Sequence, residues 1–253
     1  MAVDEVVDTA AFDTGGGAAA AHDTVAGWNL APLDGLSQVR GRQDAVLSQA
    51  TIGQLLQQAV QRFADRPAVV LREQNLRWTW AQLQAEVDAL ASGLLALGLR
   101  PGERVGIWSP NRAEWVVAQF ATARAGLVLV NINPAYRLAE LEYALNTAGC
   151  RALVTAEQLK TSNYLDMLQR LAPELASCAP GALQSQRLPQ LQMVVRLGEG
   201  RTPGMLNYDD VLERGRAVLD GAALDALNAG LSCHGAINIQ FTSGTTGNPK
   251  GAT

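Results

Sequence analysis

The strongest constraint on the fold is a repeated alternation of amphipathic helical stripes with short apolar runs between residues 51 and 241. Apolar residues at i, i+3, i+4 and i+7 from Ile52 to Phe63 predict a first helix, and Leu83 to Leu97 form a second such stripe. Strands and helices that alternate at this spacing indicate βαβ units. The pattern therefore predicts an α/β fold with a largely parallel sheet covered on both faces.

Capping residues and glycines set the predicted boundaries of these elements. Three pairs fit the capping-box pattern at helix starts, namely Thr51 with Gln54, Thr79 with Gln82, and Asn111 with Glu114. Further helices are predicted at 138–145 and 207–219, and three glycines are placed to end helices, namely Gly98, Gly126 and Gly149. The predicted strands are 68–71, which we expect to be buried, 104–108, 127–131, 152–154, 191–197 and 237–241. Segments 172–190 and 198–206 are rich in Pro, Gly and polar residues, so we expect surface excursions there.

The chain of 253 residues is long enough for one large domain or two small ones. Residues 1–26 are rich in Ala, Asp, Gly and Thr and lack apolar periodicity, which predicts a disordered tail. No linker-like segment divides the remainder. We therefore predict that residues 27–253 belong to a single domain.

Charge and hydropathy argue against nucleic-acid binding, a membrane-spanning segment and two kinds of targeting segment. A net charge of −4 gives no electrostatic basis for nucleic-acid binding, and no apolar run is long enough to span a bilayer. The first residues are acidic and contain no arginine before Arg40, which argues against a secretory signal and an arginine-rich transit peptide. The sequence therefore predicts a cytoplasmic protein without a transmembrane segment.

The three cysteines, Cys150, Cys178 and Cys233, lie far apart without C-x-x-C spacing, which predicts reduced thiols. Cys233 precedes His234, and such a pair could in principle form a metal or nucleophile site. Side chains of neighbouring residues diverge in helices and strands alike, so we favour a structural interpretation. The second histidine, His22, lies in the predicted tail and indicates no site.

The most unusual segment follows the last predicted strand and reads Thr242-Ser243-Gly244-Thr245-Thr246-Gly247-Asn248-Pro249-Lys250-Gly251. It combines four hydroxyl side chains and three glycines with one of the two lysines of the chain, Lys160 being the other. Glycines allow close backbone approach to a ligand, and successive amides can form a nest for an anion. Hydroxyls and an ammonium group add donors and positive charge. These properties suit a polyphosphate.

Two other interpretations of this loop fit less well. A flexible Gly/Ser/Thr linker is common at domain edges, but here a predicted strand leads directly into the loop and Pro249 stiffens the approach to the lysine. A Walker A loop requires lysine directly after its second glycine, whereas Lys250 comes three residues after Gly247. In addition, Gly251 replaces the hydroxyl residue that would bind Mg²⁺. Kinase or GTPase chemistry is therefore not indicated.

The segment from Thr242 to Gly251 resembles the signature loop of the adenylate-forming superfamily, which includes acyl-CoA synthetases, luciferases and the adenylation domains of peptide synthetases. Upstream segments are also similar to that family, namely Pro101-Gly102-Glu103-Arg104-Val105, Pro110-Asn111 with Trp115, and Asn131-Ile132-Asn133-Pro134-Ala135-Tyr136 with Glu140 and Tyr143. We interpret these upstream residues as scaffold. The resemblance covers residues 50–253, and within the family this chain looks most like the medium- to broad-range fatty-acyl-CoA synthetases. It implies that the chain is the N-terminal part of the large domain of such an enzyme.

The resemblance implies a two-step reaction. A carboxylate attacks the α-phosphorus of ATP and releases pyrophosphate, and the thiol of coenzyme A then displaces AMP from the acyl-adenylate. Fatty acid, ATP and coenzyme A are the implied small-molecule substrates, with Mg²⁺ as the accompanying ion, and the full-length enzyme could be a homo-oligomer. Phosphate contact is implied for seven loop residues, namely Thr242, Ser243, Gly244, Thr245, Thr246, Gly247 and Lys250.

The other functional groups of this family lie downstream of the position that matches Thr253, so the resemblance implies an incomplete AMP-binding domain with no catalytic residue of its own. We expect the chain alone to form neither acyl-adenylate nor acyl-CoA. We also expect the strand near Phe241 to leave an unpaired sheet edge that favours aggregation. A non-catalytic remnant that binds nucleotide weakly and a fragment of an aryl-CoA ligase remain open as alternatives.

Overall fold

A seven-stranded sheet lies at the centre of residues 49–253, as seen in a computed structural model that describes residues 46–242 and 249–253. The chain divides into two units, residues 1–48 and residues 49–253. Only residues 46–48 of the first unit are described. The predicted tail at residues 1–26 and the predicted domain start at residue 27 lie outside the described residues.

The bounds of the described elements follow the predicted alternation. The helices are α1 (Ile52–Phe63), α2 (Trp80–Ala96), α3 (Ala113–Arg124), α4 (Leu138–Ala148), α5 (Tyr164–Leu171), α6 (Tyr208–Val218) and α7 (Gly221–Ala229). The strands are β1 (Pro67–Leu71), β2 (Leu76–Thr79), β3 (Arg104–Trp108), β4 (Val128–Asn131), β5 (Cys150–Thr155), β6 (Gln158–Leu159), β7 (Ser162–Asn163), β8 (Met193–Arg196), β9 (Leu206–Asn207), β10 (Asn238–Thr242) and β11 (Lys250–Ala252). None of the described helices combines the length and apolar character needed to cross a membrane.

The central sheet has the strand order β11-β10-β4-β3-β5-β8-β9, and only β11 runs antiparallel to its neighbour. The inner strands are short apolar runs, and their side chains are buried on both faces; Val105, Leu129, Val130 and Leu153 are fully buried examples. Such runs are typical of parallel sheets that helices cover on both sides. The predicted α/β fold with a largely parallel sheet is confirmed.

The direction of each crossover determines which face of the sheet its helix covers. From β3 the chain moves through α3 to β4 on one side, and from β4 it returns through α4 past β3 to β5 on the other side. Because parallel crossovers are right-handed, the two helices lie on opposite faces. Contacts between helices agree with this assignment, since α4 packs with α5, whereas α1, α2, α3, α6 and α7 pack among themselves.

Two of the predicted capping boxes are present. The backbone N–H of Gln54 donates to Thr51 Oγ1 at 3.3 Å, and the N–H of Thr51 donates to Gln54 Oε1 at 2.8 Å. Thr79 and Gln82 make the equivalent pair at the start of α2, at 3.2 and 2.9 Å. These reciprocal bonds satisfy N–H groups that a helix start otherwise leaves without partners.

The strand at β1 differs from the prediction of a buried strand at 68–71. It pairs antiparallel with β2 in a two-stranded hairpin separate from the central sheet, and Val70 is 51% exposed. Asn75, between the two strands, has a left-handed φ of 47°, which asparagine adopts more readily than most residues. A short apolar run indicates a strand but does not indicate which sheet the strand joins.

The start of α3 also differs from the prediction. Its N-cap is Arg112 rather than Asn111, and Arg112 makes no side-chain capping hydrogen bond. Instead, the backbone N–H of Ala113 donates to Gln74 Oε1 at 2.7 Å, and Gln74 Nε2 donates to Glu114 Oε2 at 3.0 Å. The turn of the β1–β2 hairpin therefore caps α3, and a local sequence pattern contains no trace of this long-range contact.

Segments 172–190 and 198–206 lie mostly at the surface, as predicted, but they also contribute apolar side chains to the core. Their buried apolar side chains, each at most 4% exposed, are Ala172, Leu175, Leu183, Leu188 and Met205. Two short helices, α5 and α7, were not predicted either. Isolated apolar residues among polar ones give no clear period over segments this short, so periodicity missed both the helices and the buried positions.

The predicted unpaired edge near Phe241 is wrong. β10 pairs with β4 on one side and with β11 on the other, where Phe241 lies opposite Gly251 and Gln240 opposite Ala252. The residues after the loop return along β10 as the second strand of a hairpin. Among the described residues, the outermost strand on this side is therefore β11 (Lys250–Ala252) and not β10.

Helices α2 and α6 approach each other closely because each presents a glycine to the backbone of the other. A Cβ atom at Gly215 would lie 1.8 Å from the carbonyl oxygen of Ala89, and one at Gly93 would lie 2.2 Å from the carbonyl oxygen of Val211. Both distances are far below van der Waals contact. The close approach of these two helices therefore requires glycine at both positions.

We predict that Gln74→Ala lowers the free energy of unfolding by about 1 kcal/mol, the usual effect of losing a helix N-cap. Asn111→Ala is the matched control, because the capping role that the sequence suggested for Asn111 is absent from the structure. Urea unfolding of both variants measures the difference. Equal destabilisation by the two substitutions would contradict the assignment of Gln74 as the cap.

We predict that Gly215→Ala lowers the free energy of unfolding by about 2 kcal/mol, because the added methyl group forces α2 and α6 apart. Gly221→Ala is the control, since a Cβ at Gly221 meets no atom within 4 Å. Alanine has the higher helix propensity, so the control is expected to be neutral or slightly stabilising. Thermal unfolding distinguishes the two, and an unchanged melting temperature for Gly215→Ala would refute the close-packing argument.

Candidate functional site

The carboxyl ends of the parallel strands β10, β4, β3, β5, β8 and β9 lie along one edge of the sheet. In open α/β sheets, ligands bind at this edge, where neighbouring strands send their connections to opposite faces. β3 and β4 are such a pair, because α3 and α4 lie on opposite faces. The ends of these strands and of their neighbour β10 are therefore the expected position of a ligand site.

Strand register places the loop of hydroxyls and glycines at this edge. Gln240 pairs with Asn131, the last residue of β4, so Thr242 extends two residues beyond the end of its neighbour. Across the other side, Thr242 pairs with Lys250, the first residue of β11. The two strands therefore bring both ends of the loop together at the carboxyl edge.

Two of the seven predicted site residues, Thr242 and Lys250, are described, and both are exposed. The hydroxyl of Thr242 lies 3.4 Å from the carbonyl oxygen of Lys250, to which it donates. Directly opposite residues in an antiparallel pair have side chains on the same face, so the hydroxyl and the ammonium group belong to one side of the hairpin. The other five predicted residues, Ser243, Gly244, Thr245, Thr246 and Gly247, lie outside the described residues.

The hairpin that carries the loop is anchored by an aromatic side chain. Phe241 is 6% exposed and makes an edge-to-face contact with Tyr143 of α4, with ring centroids 6.4 Å apart. Gly251 lies opposite Phe241, and a Cβ there would be at ordinary contact distance from the ring, 3.6 Å, but tight against Ile239 Cγ2, at 3.1 Å. Phe241 thereby fixes the strand one residue before the loop begins.

An amide pair joins β4 to β10 just below the loop. Asn131 Nδ2 donates to Gln240 Oε1 at 2.9 Å, and Asn131 Oδ1 is buried without a partner among the described residues. The sequence indicates Asn131 only as part of a scaffold segment. The polar residue that ends an otherwise apolar strand was the available signal for this contact.

A turn follows Asn131 and is held by two buried aromatic residues that the sequence did not single out. Trp108 Nε1 donates to the carbonyl oxygen of Asn133, and the Tyr164 hydroxyl donates to the carbonyl oxygen of Pro134. Burial raises the pKa of Tyr164 to about 12, so its hydroxyl stays protonated at neutral pH. The segment that the sequence indicated only as scaffold therefore contains a turn with side-chain support from two other elements.

The neighbouring Cys233 and His234 show no catalytic or metal-binding arrangement. The Cys233 thiol donates to Gln49 Oε1 at 3.1 Å, and the backbone N–H of His234 donates to Ser232 Oγ. Within residues 46–242 and 249–253, no group of three or more His, Cys, Asp or Glu side chains could hold a metal ion. All three cysteines are free, as predicted, and burial raises the pKa of Cys150 to about 12, which makes that thiol unreactive.

Two cavities lie at the amino-terminal edge of the sheet, opposite the loop. One, of about 480 Å³, is mainly apolar and lies beside Gly102, Val128 and Ile237 at the starts of β3, β4 and β10. The other, of about 260 Å³, is polar and is lined by Arg104 and Arg151. Neither cavity is lined by Thr242 or Lys250, the two described residues of the predicted site, so neither is assigned to it.

The fold is similar to those of a solved CoA ligase and a solved acyl CoA synthetase. Residues covering 81% of this chain match 35% of the anthranilate CoA ligase AuaEII, with a TM-score of 0.63 and 24% sequence identity. A fatty acyl CoA synthetase from Mycobacterium tuberculosis matches with a TM-score of 0.60 and 23% identity, over 79% of this chain and 34% of that one. At these identities, the matches show that the fold is shared.

A curated relative is much more similar in sequence. The mouse protein named "Medium-chain acyl-CoA ligase ACSF2, mitochondrial" is 48% identical over 225 residues, which are 89% of this chain and 36% of that protein. The chain thus spans about a third of the length of this relative. The model of the family described as "AMP-binding enzyme" matches residues 56–253 and so includes the central sheet, the loop and both described site residues. This chain belongs to the AMP-binding enzyme family.

Proposed function

We propose that this chain is the N-terminal part of an AMP-forming fatty-acid–CoA ligase. The observation that carries the proposal is the pairing of Thr242 with Lys250, which closes a loop of phosphate-binding composition at the carboxyl edge of the sheet. The 48% identity to a relative named as an acyl-CoA ligase supports the reaction type. Because the chain covers 36% of that relative, the activity is proposed for the complete gene product that contains this sequence.

In the proposed reaction, an oxygen of the fatty-acid carboxylate attacks the α-phosphorus of ATP. The bond from that phosphorus to the bridging oxygen breaks, and pyrophosphate leaves with the electron pair. The thiol of coenzyme A then attacks the carbonyl carbon of the acyl-adenylate, and AMP leaves as the thioester forms. The first step develops negative charge on the pyrophosphate, so donors and cations placed around the leaving group lower its barrier.

The described residues at both ends of the loop fit this role. Thr242 offers a hydroxyl at the end of β10, and Lys250 offers an ammonium group at the start of β11, both exposed and on one side of the hairpin. The loop between them contributes three further hydroxyls and two glycines, whose amides can approach phosphate oxygens closely. We propose that Thr242, Ser243, Gly244, Thr245, Thr246, Gly247 and Lys250 bind the β- and γ-phosphates of ATP.

Magnesium is proposed only as an ion that accompanies ATP. The described part of the chain holds no cluster of His, Cys, Asp or Glu suited to a metal ion, so we assign it no metal ligand and derive no step from the metal. Coenzyme A is proposed as the acyl acceptor from the name of the relative alone. Its binding residues are not assigned to this chain.

We propose a medium-chain fatty acid as the substrate, because the relative that is 48% identical is named for medium-chain acids. An aryl acid is the competing substrate class. AuaEII is an anthranilate ligase, but its 24% identity supports a shared fold and gives no reason to prefer an aryl acid.

Cellular localisation and oligomeric state are separate questions from the reaction. The sequence predicts a cytoplasmic protein, whereas the mouse relative carries the word "mitochondrial" in its name. A homo-oligomer of the full-length enzyme stays a prediction. Fractionation and light scattering of the complete gene product would test the two.

We predict that the complete gene product catalyses ATP–pyrophosphate exchange that depends on octanoate. Benzoate, at the same concentration, is the matched aryl acid and is expected to support little exchange. Exchange with benzoate but not octanoate would replace the proposal with an aryl-CoA ligase. Absence of exchange with either acid would favour a protein that binds nucleotide without activating acids.

We predict that Lys250→Met lowers this exchange at least about tenfold, because an ammonium group near the leaving pyrophosphate is lost. Lys160→Met is the matched control, since Lys160 is the only other lysine of the chain and lies between β6 and β7, in the connection that follows β5 and not in the β10–β11 hairpin. Initial rates at saturating fatty acid measure the effect. Equal rates for the two variants would show that Lys250 has no role in this step.

A further inference from the structure

We propose that Trp108 and Tyr164 are positioning residues for the phosphate-binding loop. They hold the turn at the end of β4, and this turn is linked to the loop-bearing strand β10. The inference rests on the proposed function, because it states how the ATP-binding part of that site is kept in place.

The two aromatic residues form a stacked pair beneath the turn. Trp108 is the last residue of β3 and Tyr164 the first residue of α5, and both side chains are fully buried. Their ring centroids are 3.7 Å apart and their planes are inclined by 14°. Stacking restricts both rings, so the polar atom of each is held in a fixed direction.

Both polar atoms are directed at consecutive carbonyl groups of the same turn. Trp108 Nε1 donates to the carbonyl oxygen of Asn133 at 3.2 Å, and the Tyr164 hydroxyl donates to the carbonyl oxygen of Pro134 at 2.6 Å. Two donors from different elements therefore fix two adjacent peptide groups. Phenylalanine in place of Tyr164 would keep the ring but leave the Pro134 carbonyl without this donor, and phenylalanine in place of the larger Trp108 would remove the donor to Asn133.

The turn is also ordered by its own backbone. Asn133 Oδ1 accepts from the N–H of Ala135 at 2.9 Å, and the carbonyl oxygen of Asn133 also accepts from the N–H of Tyr136 at 3.0 Å. The N–H of Ile132 donates to the carbonyl oxygen of Ile107 in β3. The path of the chain after β4 is thus fixed from both ends of the turn.

The link from this turn to the loop runs through Asn131. Its Nδ2 group donates to Gln240 of β10, and Gln240 lies two residues before Thr242. The turn therefore begins one residue after a side chain that is bonded to the strand carrying the loop. A shift of the turn would displace Asn131, and with it the start of the loop, relative to the sheet. Displacements of this kind reduce catalysis strongly because phosphate donors must meet the leaving group in a narrow range of positions.

Steady-state kinetics of the complete gene product test the proposal. Tyr164→Phe removes one hydroxyl and keeps the ring, so we expect the KM for ATP to rise about fivefold, the effect of one lost hydrogen bond. The KM for the fatty acid is expected to stay unchanged. Trp108→Phe removes the second donor and is expected to act in the same direction.

Tyr208→Phe is the matched control, because Tyr208 is 5% exposed and its hydroxyl has no partner among the described residues. We expect its kinetic constants to equal those of the wild type. Equal KM values for ATP in Tyr164→Phe and Tyr208→Phe would overturn the proposal. A fall in melting temperature for Tyr164→Phe with unchanged KM would also overturn it, since that result describes a purely structural residue.

Hydrogen exchange separates this proposal from the proposed function. In Tyr164→Phe, the amides of Ile132 and Tyr136 are expected to exchange about fivefold faster than in Tyr208→Phe. If the wild type shows no ATP–pyrophosphate exchange, the proposed function fails. If amide hydrogen exchange in Tyr164→Phe is unchanged, the aromatic pair does not hold the turn, whatever the function.

Discussion

The parallel pairing of β10 with β4 is the contact on which the account of this molecule depends. It sets Gln240 opposite Asn131, so the loop after Thr242 emerges at the same edge as the ends of β3 and β4. A slip of one residue would exchange the two faces of β10, exposing Phe241 and burying Gln240. The buried ring and the amide pair therefore specify the register, and the register determines where the loop begins.

Helix packing supports strand β10 at its amino-terminal end, opposite the loop-bearing end. The fully buried Arg124 of α3 is paired with Asp88 of α2, and its guanidinium donates to Asp225 of α7 at 2.6 Å. A buried charge requires such partners, so α2, α3 and α7 are held as a unit. The chain runs from α7 through a short connection into β10. The helical layer thus anchors the residues that precede the loop-bearing strand.

Sequence patterns predicted the central sheet and the loop because each depends on local information. Thr51 and Thr79 cap helices through residues three positions away, and the loop is recognisable from ten consecutive residues. Contacts between distant segments could not be predicted in this way. Gln74, in the β1–β2 hairpin, caps α3. Trp108 of β3 and Tyr164 of α5 stack beneath the turn after β4, which is part of neither element. The return of β11 along β10 was missed for the same reason, since three residues carry no periodicity.

The central claim is that the hairpin formed by β10 and β11 presents a polyphosphate-binding loop. The two lysines of the chain allow a direct measurement, namely NMR of protein labelled with ¹³C at lysine Cε during titration with ATP. The account predicts that the Lys250 signal shifts saturably while the Lys160 signal stays in place. Shifts of equal size at both lysines, or no shift at Lys250 at saturating ATP, would contradict it.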